Sequence, residues 1–128
     1  MPADTVHRID CPGTPSSVWS ALLDAGRCDV QTRTLHLDHA DVRLHARSTE
    51  IGVRGRARWA GVPYRVTAHL LPGGGTTRLV ITGRLDDRAG TPNALARMRA
   101  RRLASRDLRR LARATCTQSA RVAQPVRE

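Results

Sequence analysis

The chain has no lysine and no phenylalanine, and only three aromatic residues in 128: Trp19, Trp59 and Tyr64. The core must therefore be filled by Leu, Val, Ile and Ala, and the stacking platforms that hold single-stranded nucleic acid are nearly absent. No apolar run approaches the roughly 18 residues of a membrane span. The opening MPADTVHRID lacks the apolar stretch of a secretory signal. Three cysteines, Cys11, Cys28 and Cys116, are odd in number and widely spaced, with no C-x-x-C and no zinc pattern. They are expected to be reduced, inert thiols in a cytoplasmic protein. No G-x-S-x-G, H-E-x-x-H or P-loop is present, and Gly73-Gly74-Gly75 is followed by Thr rather than Lys. No catalytic residue, metal or cofactor is assigned. His36, Asp38, His39 and Asp41 lie close together, but a metal needs three or four converging ligands, so they are read as solvated hairpin residues.

The absence of lysine also qualifies the charge. All 22 basic residues are Arg, against 11 acids, for a net charge of +11. Complete replacement of Lys by Arg reads as codon bias in a GC-rich genome, which discounts a nucleic-acid signal. The excess is uneven. Residues 91–128 hold ten Arg against Asp107 and Glu128, a net +8, and residues 1–90 carry the remaining +3. A positive field on the C-terminal segment attracts anions.

That segment, TPNALARMRARRLASRDLRRLARATCT over residues 91–117, predicts a long helix. Thr91 suits the N-cap, Pro92 suits the first helical position, and no further Gly or Pro interrupts it. At about 100° per residue, Arg99, Arg102, Arg106, Arg109, Arg110 and Arg113 fall on one arc. Ala100, Ala104, Leu108, Leu111 and Thr115 fall on the opposite one. Arg97 and Arg101 lie on the apolar side, with Leu95 and Met98 on the other. An ion pair with Asp24 or Asp29 is the expected answer to their placement, and the anionic head group of a ligand is the alternative.

The remainder predicts a short strand at 5–11 and a helix from Thr14-Pro15 to about Ala25, capped by Gly26. Strand-like runs follow at 32–38, 41–48, 51–60, 63–71 and 76–85. Their short breaks imply hairpins and an antiparallel meander, because parallel pairing needs a crossover of about a dozen residues. Alternation in the middle strands (Val53, Gly55, Ala57 and Trp59 against Arg54, Arg56 and Arg58) gives a sheet with one apolar face for the two helices to cover. The fold class is α+β, with one domain over residues 1–118 and a disordered tail over 119–128.

VHRIDCPGTPSSVWSALLD and GGGTTRLVITGRL together resemble the START-like, or SRPBCC, helix-grip superfamily. The first matches its opening strand, Pro-containing turn and helix with a Val-Trp pair; the second matches the turn into its last strand. The resemblance implies a curved antiparallel sheet of about six strands gripping the last helix, often around an apolar cavity. It implies binding of a small apolar or amphipathic molecule, lipid- or polyketide-like. A polyketide cyclase or aromatase is the alternative within the family. A basic module for nucleic acid or a membrane surface is the alternative outside it. The inward row Tyr64, Val66, Ala68, Leu79 and Ile81, facing Ala100, Ala104 and Leu108, is the expected ligand site, with Tyr64, Arg97 and Arg101 at its polar end. The chain is short for the family and reduces the second helix to the connection Arg27–Gln31. Two outcomes follow: small helix residues hold a space open, or the helix settles directly on the sheet and closes it.

Overall fold

The computed structural model describes residues 4–45, 52–86 and 93–123. Six strands and two helices follow in the order β1 (Thr5–Pro12), α1 (Pro15–Ala25), β2 (Thr34–His36), β3 (Asp41–Leu44), β4 (Gly52–Trp59), β5 (Val62–Gly73), β6 (Thr76–Leu85) and α2 (Ala94–Ala123). All strands pair antiparallel in one curved sheet of order β1-β6-β5-β4-β3-β2. The meander β2–β6 is extended at its far edge by β1. The α+β helix-grip class is as the sequence predicts.

Two hairpins turn on paired positive-φ residues, Ala60 (φ 50°) with Gly61 (φ 78°) and Gly74 (φ 47°) with Gly75 (φ 92°). This backbone matches the right-handed twist of the flanking strands. Thr14 caps α1 as expected, its hydroxyl oxygen accepting the Ser17 N–H at 3.2 Å, with Pro15 next. At the other end Gly26 is the C-cap, as expected, with φ −84°, and the positive φ falls on Arg27 (49°). Gly26 is needed for space instead: a Cβ there would lie 2.7 Å from Leu35 Cδ2.

The second strand is shorter than the run 32–38. The Asp29 carboxylate accepts the Gln31 N–H at 2.9 Å and Arg33 takes φ 55°, so the chain is still turning until Thr34. The run 41–48 yields β3 to Leu44, and its end lies outside the described residues. The start of the last helix is also corrected. Asn93 is the cap, its Oδ1 accepting the Ala96 N–H at 2.7 Å, and Thr91 and Pro92 lie outside the described residues. The helix continues through the expected tail as far as Ala123. Ser119 is buried and its hydroxyl donates to the Pro12 carbonyl, which ties the last turns to the end of β1. Residues 124–128 lie outside the described residues.

The core holds Val18, Leu22, Leu35, Val53, Tyr64, Val66, Leu79, Ile81, Leu108 and Leu111, all buried. Trp19, Leu37 and Leu44 are only partly buried, packed at its margin. The predicted Arg arc of α2 is exposed along its length.

Small residues set how closely α2 approaches the sheet. Ala100 and Ala104 are fully buried. Opposite them is Gly83, where a Cβ would lie 3.1 Å from Leu108 Cδ1 and 2.9 Å from Thr5 Cγ2. Leu108 therefore rests against the strand itself. Beside this contact His7 lies half-buried beneath α2, its Nε2 2.8 Å from Thr5 Oγ1 and 3.5 Å from Ser105 Oγ. Burial, and next the positive charge of Arg109, lower its pKa. The unfolded chain keeps the ordinary value of about 6.5. Below that pH the unfolded state binds the proton more readily, so this stability is full above about pH 6.5 and declines as the pH falls beneath it. Urea unfolding at a series of pH values is expected to show this decline, and His7→Gln is expected to flatten it. An unchanged pH profile in the variant would assign the dependence to other groups.

Candidate ligand-binding site

The structure divides the ten residues picked out by the sequence into two sets. Val66, Ala68, Leu79, Ile81, Ala100, Ala104 and Leu108 are buried in the core. Three of them, Val66, Ala68 and Ile81, border a void of about 20 Å³ together with residues such as Leu22, Val42 and Leu111. That is room for about one water molecule. Of the two outcomes left open by the sequence, the helix has settled on the sheet.

The second set, Tyr64, Arg97 and Arg101, meets at the end of this core. Together with Asp4, Ala94 and Met98 it encloses an open pocket of about 260 Å³ between the start of β1, the start of β5 and the first turns of α2. The helix supplies the two guanidiniums because residues four apart stack on one face. Ala96 and Ala100 pack on the core while Arg97 and Arg101, each one position further along the helix, are exposed at its edge. The expected ion pairs with Asp24 or Asp29 do not form. Asp29 is bonded within its own turn, and Asp24 borders a hollow at the opposite end of α2 with Arg121. Among the described residues no carboxylate lies within ion-pair distance of Arg97 or Arg101. The apolar residues displaced to the other side of these turns, Leu95 and Met98, are 76% and 55% exposed.

Tyr64 forms the floor. Its ring is buried edge-on against Trp59, with centroids 5.6 Å apart and planes at 90°. Its pKa is pushed up to about 12, chiefly by burial and then by the charge of Asp4 and a hydrogen bond to it, while Arg101 and Arg97 pull the other way. A phenol in that state is neutral, with its hydroxyl donated to the Asp4 carboxylate. Two guanidiniums with no ion-pair partner among the described residues, beside exposed apolar side chains, suit the acidic end of an amphipathic molecule.

A second polar cluster escaped the sequence. Asp107, on the buried side of α2, is 2% exposed. Its Oδ2 accepts the Trp59 Nε1–H at 2.8 Å and the His39 backbone N–H at 2.9 Å, and its Oδ1 lies 2.7 Å from His39 Nδ1. The signal was available: Asp107 is seven residues after Ala100 and four before Leu111, so it shares their arc. The grouping His36, Asp38, His39 and Asp41 is dispersed by the fold. His36 bonds Asp41 at 2.9 Å, Asp38 pairs with Arg110, and His39 turns to Asp107. The Arg110 contact, first of all, holds the Asp38 carboxyl below its usual range. Cys11 is pushed up to about 12 by burial and next by Cys116, which keeps it a thiol and a poor nucleophile.

No protein-family model and no curated protein matches the chain. Solved structures do. A START superfamily protein from Mycobacterium smegmatis superposes with TM-score 0.62 at 10% identity, over 93% of this chain and 98% of that one. DynU16, from the dynemicin biosynthetic locus, gives 0.53 at 20% identity over 88% of this chain, which spans only 47% of DynU16. CalU16 from Micromonospora echinospora gives 0.50 at 16% identity, over 91% and 85%. At these identities the likeness is one of fold. The chain has the START-like, helix-grip fold. Among the described residues no helix is long and apolar enough to cross a membrane.

Proposed function

We propose that this protein binds a small amphipathic anion, lipid- or polyketide-like, at the mouth formed by Tyr64, Arg97 and Arg101 rather than inside the sheet–helix core. One contrast carries the reading: the interior void is about 20 Å³, whereas the mouth offers about 260 Å³ with two guanidiniums that, among the described residues, have no carboxylate within ion-pair distance. The START-like fold supports a ligand at this end of the helix. A pocket of this size holds an acidic head and a short apolar stem, and the stem would lie on Met98. The competing reading, a polyketide cyclase, asks for acid–base groups around an enclosed chain. The inward face offers His7, bonded to Thr5 at 2.8 Å, Tyr64, held neutral, and Thr77, whose hydroxyl is bonded to the Gly13 carbonyl at 2.9 Å, without an enclosed chain-sized space around them. A reducing compartment such as the cytoplasm suits three free thiols.

The test uses anilinonaphthalene sulfonate, an anionic amphiphile whose fluorescence rises on transfer from water. Arg97→Gln/Arg101→Gln is expected to weaken its binding about tenfold, or about 1.4 kcal/mol, with folding stability within about 0.5 kcal/mol because both side chains are exposed. Ala104→Leu is expected to overpack the core and destabilise it by about 1–3 kcal/mol while leaving the dye affinity unchanged. Dye binding that survives the double substitution but disappears in Ala104→Leu would put the ligand inside the core. Native mass spectrometry that finds no co-purified small molecule, together with no dye binding by the wild type, would end the reading.

A further inference from the structure

The sheet has a second face, turned away from both helices, and its register sets arginines directly against one another. Arg43 pairs with Arg56, Arg56 with Arg65, and Arg65 with Arg84. The result is one row of four exposed guanidiniums across β3, β4, β5 and β6. Neighbouring strands lie about 4.8 Å apart, so four charges fall within about 14 Å. Like charges directly opposite on a sheet face oppose folding. The one carboxylate within ion-pair reach of the row, among the described residues, is Asp86, 3.7 Å from Arg65 Nη2. Elsewhere on this face the chain does neutralise arginine: Arg78 Nε donates to Asp10 at 2.9 Å.

One step along the strands the row is Arg54, Thr67 and Thr82, with the two threonine hydroxyls bonded to each other. These hydroxyls floor a trough of about 570 Å³, walled by Arg56, Arg65 and Arg84 on one side and by Arg54 and His69 on the other. Cations flanking hydroxyls suit phosphate oxygens. Trp59 and Tyr64 are buried on the opposite face, so neither is available here to stack on a base. Nor, among the described residues, does a large apolar side chain rise beside the arginine row to enter a bilayer: the exposed ones on this face, Val6 and Leu71, lie off the row. A duplex, with about one charge per 1.7 Å of axis and its bases turned inward, matches what remains.

We propose that this sheet face docks the phosphate backbone of double-stranded nucleic acid without reading its bases. The surface is separate from the mouth at Tyr64, and either can fail without the other.

A chain of net charge +11 attracts any polyanion, so the experiment compares two variants with equal charge loss. Arg56→Gln/Arg65→Gln/Arg84→Gln alters the sheet row. Arg99→Gln/Arg102→Gln/Arg113→Gln alters the exposed arc of α2. Each is titrated by fluorescence anisotropy with a labelled DNA duplex of about 20 base pairs at several salt concentrations. The sheet variant is expected to lose about 10- to 100-fold in affinity at low salt and to flatten the slope of log K against log salt by about 2–3, near 0.9 per lost phosphate contact. The helix variant is expected to move both by less than half as much. Arg65→Gln alone is expected to reduce the slope by about 0.9, and two duplexes of unrelated sequence are expected to bind within about twofold of each other. Equal losses in the two triple variants, or no loss in the sheet variant, would overturn the proposal. So would phosphatidylserine vesicles whose binding depends on the row when duplex binding does not.

Discussion

Asp107→Ala is expected to lower folding stability by about 3–5 kcal/mol, the range for removing one partner from a buried charged network. Three donors converge on this carboxylate, two from His39 in the β2–β3 turn and one from Trp59 at the end of β4. The Trp59 indole is fully buried, so its N–H would be left without an acceptor, at about 1–3 kcal/mol for that group alone. His39 would lose both of its bonds to α2, releasing the β2–β3 turn. The loss is expected in urea unfolding, with a change in Trp59 fluorescence in the folded state. Asp107→Asn keeps one acceptor oxygen but turns an NH₂ toward a donor, and is expected to recover part of the loss. A decrease under about 1 kcal/mol for Asp107→Ala would show that water replaces the carboxylate at Trp59.

Asp107 also shows where sequence reasoning stopped. The fold was legible because each local signal agreed with the others: Thr14-Pro15 at a helix start, period-two alternation through Trp59 and Tyr64, and a long Ala-, Leu- and Arg-rich helix at the end. Even the misfit of Arg97 and Arg101 on the helix wheel was visible, and it located the mouth. Partners distant in the chain were not legible. Nothing at position 39 announces position 107, and only the fold brings the β2–β3 turn against the middle of α2. The arginine row on the outer sheet face was hidden for the same reason. Alternation shows that Arg54, Arg56, Arg65 and Arg84 share a face, but only the register puts Arg56, Arg65 and Arg84 in line. Whether the core was open depended on Gly83, which reads as an ordinary strand interruption until Leu108 is seen against it.

Leu108→Ala carries the other large effect, because Leu108 lies where α2 touches the sheet. The side chain is fully buried, and it lies against Gly83, which has no side chain to move into the vacated space. Large-to-small substitutions in cores remove about 2–5 kcal/mol, with the higher values where the surroundings cannot collapse. Ala100 and Ala104 on the neighbouring turns are already small, so this site belongs toward the upper end. A loss under about 0.5 kcal/mol, as at a surface position, would mean that α2 does not grip the sheet. The same variant tests whether the native interior is closed. An apolar hole lined by aliphatic side chains stays dry and takes up benzene. Benzene is therefore expected to raise the melting temperature of Leu108→Ala, since a ligand that binds only the folded state stabilises it by mass action. The wild type, with about 20 Å³ of free space, is expected to show no such rise. Equal stabilisation of both proteins would mean that the native core already opens to apolar guests, and would return the ligand site from the mouth to the interior.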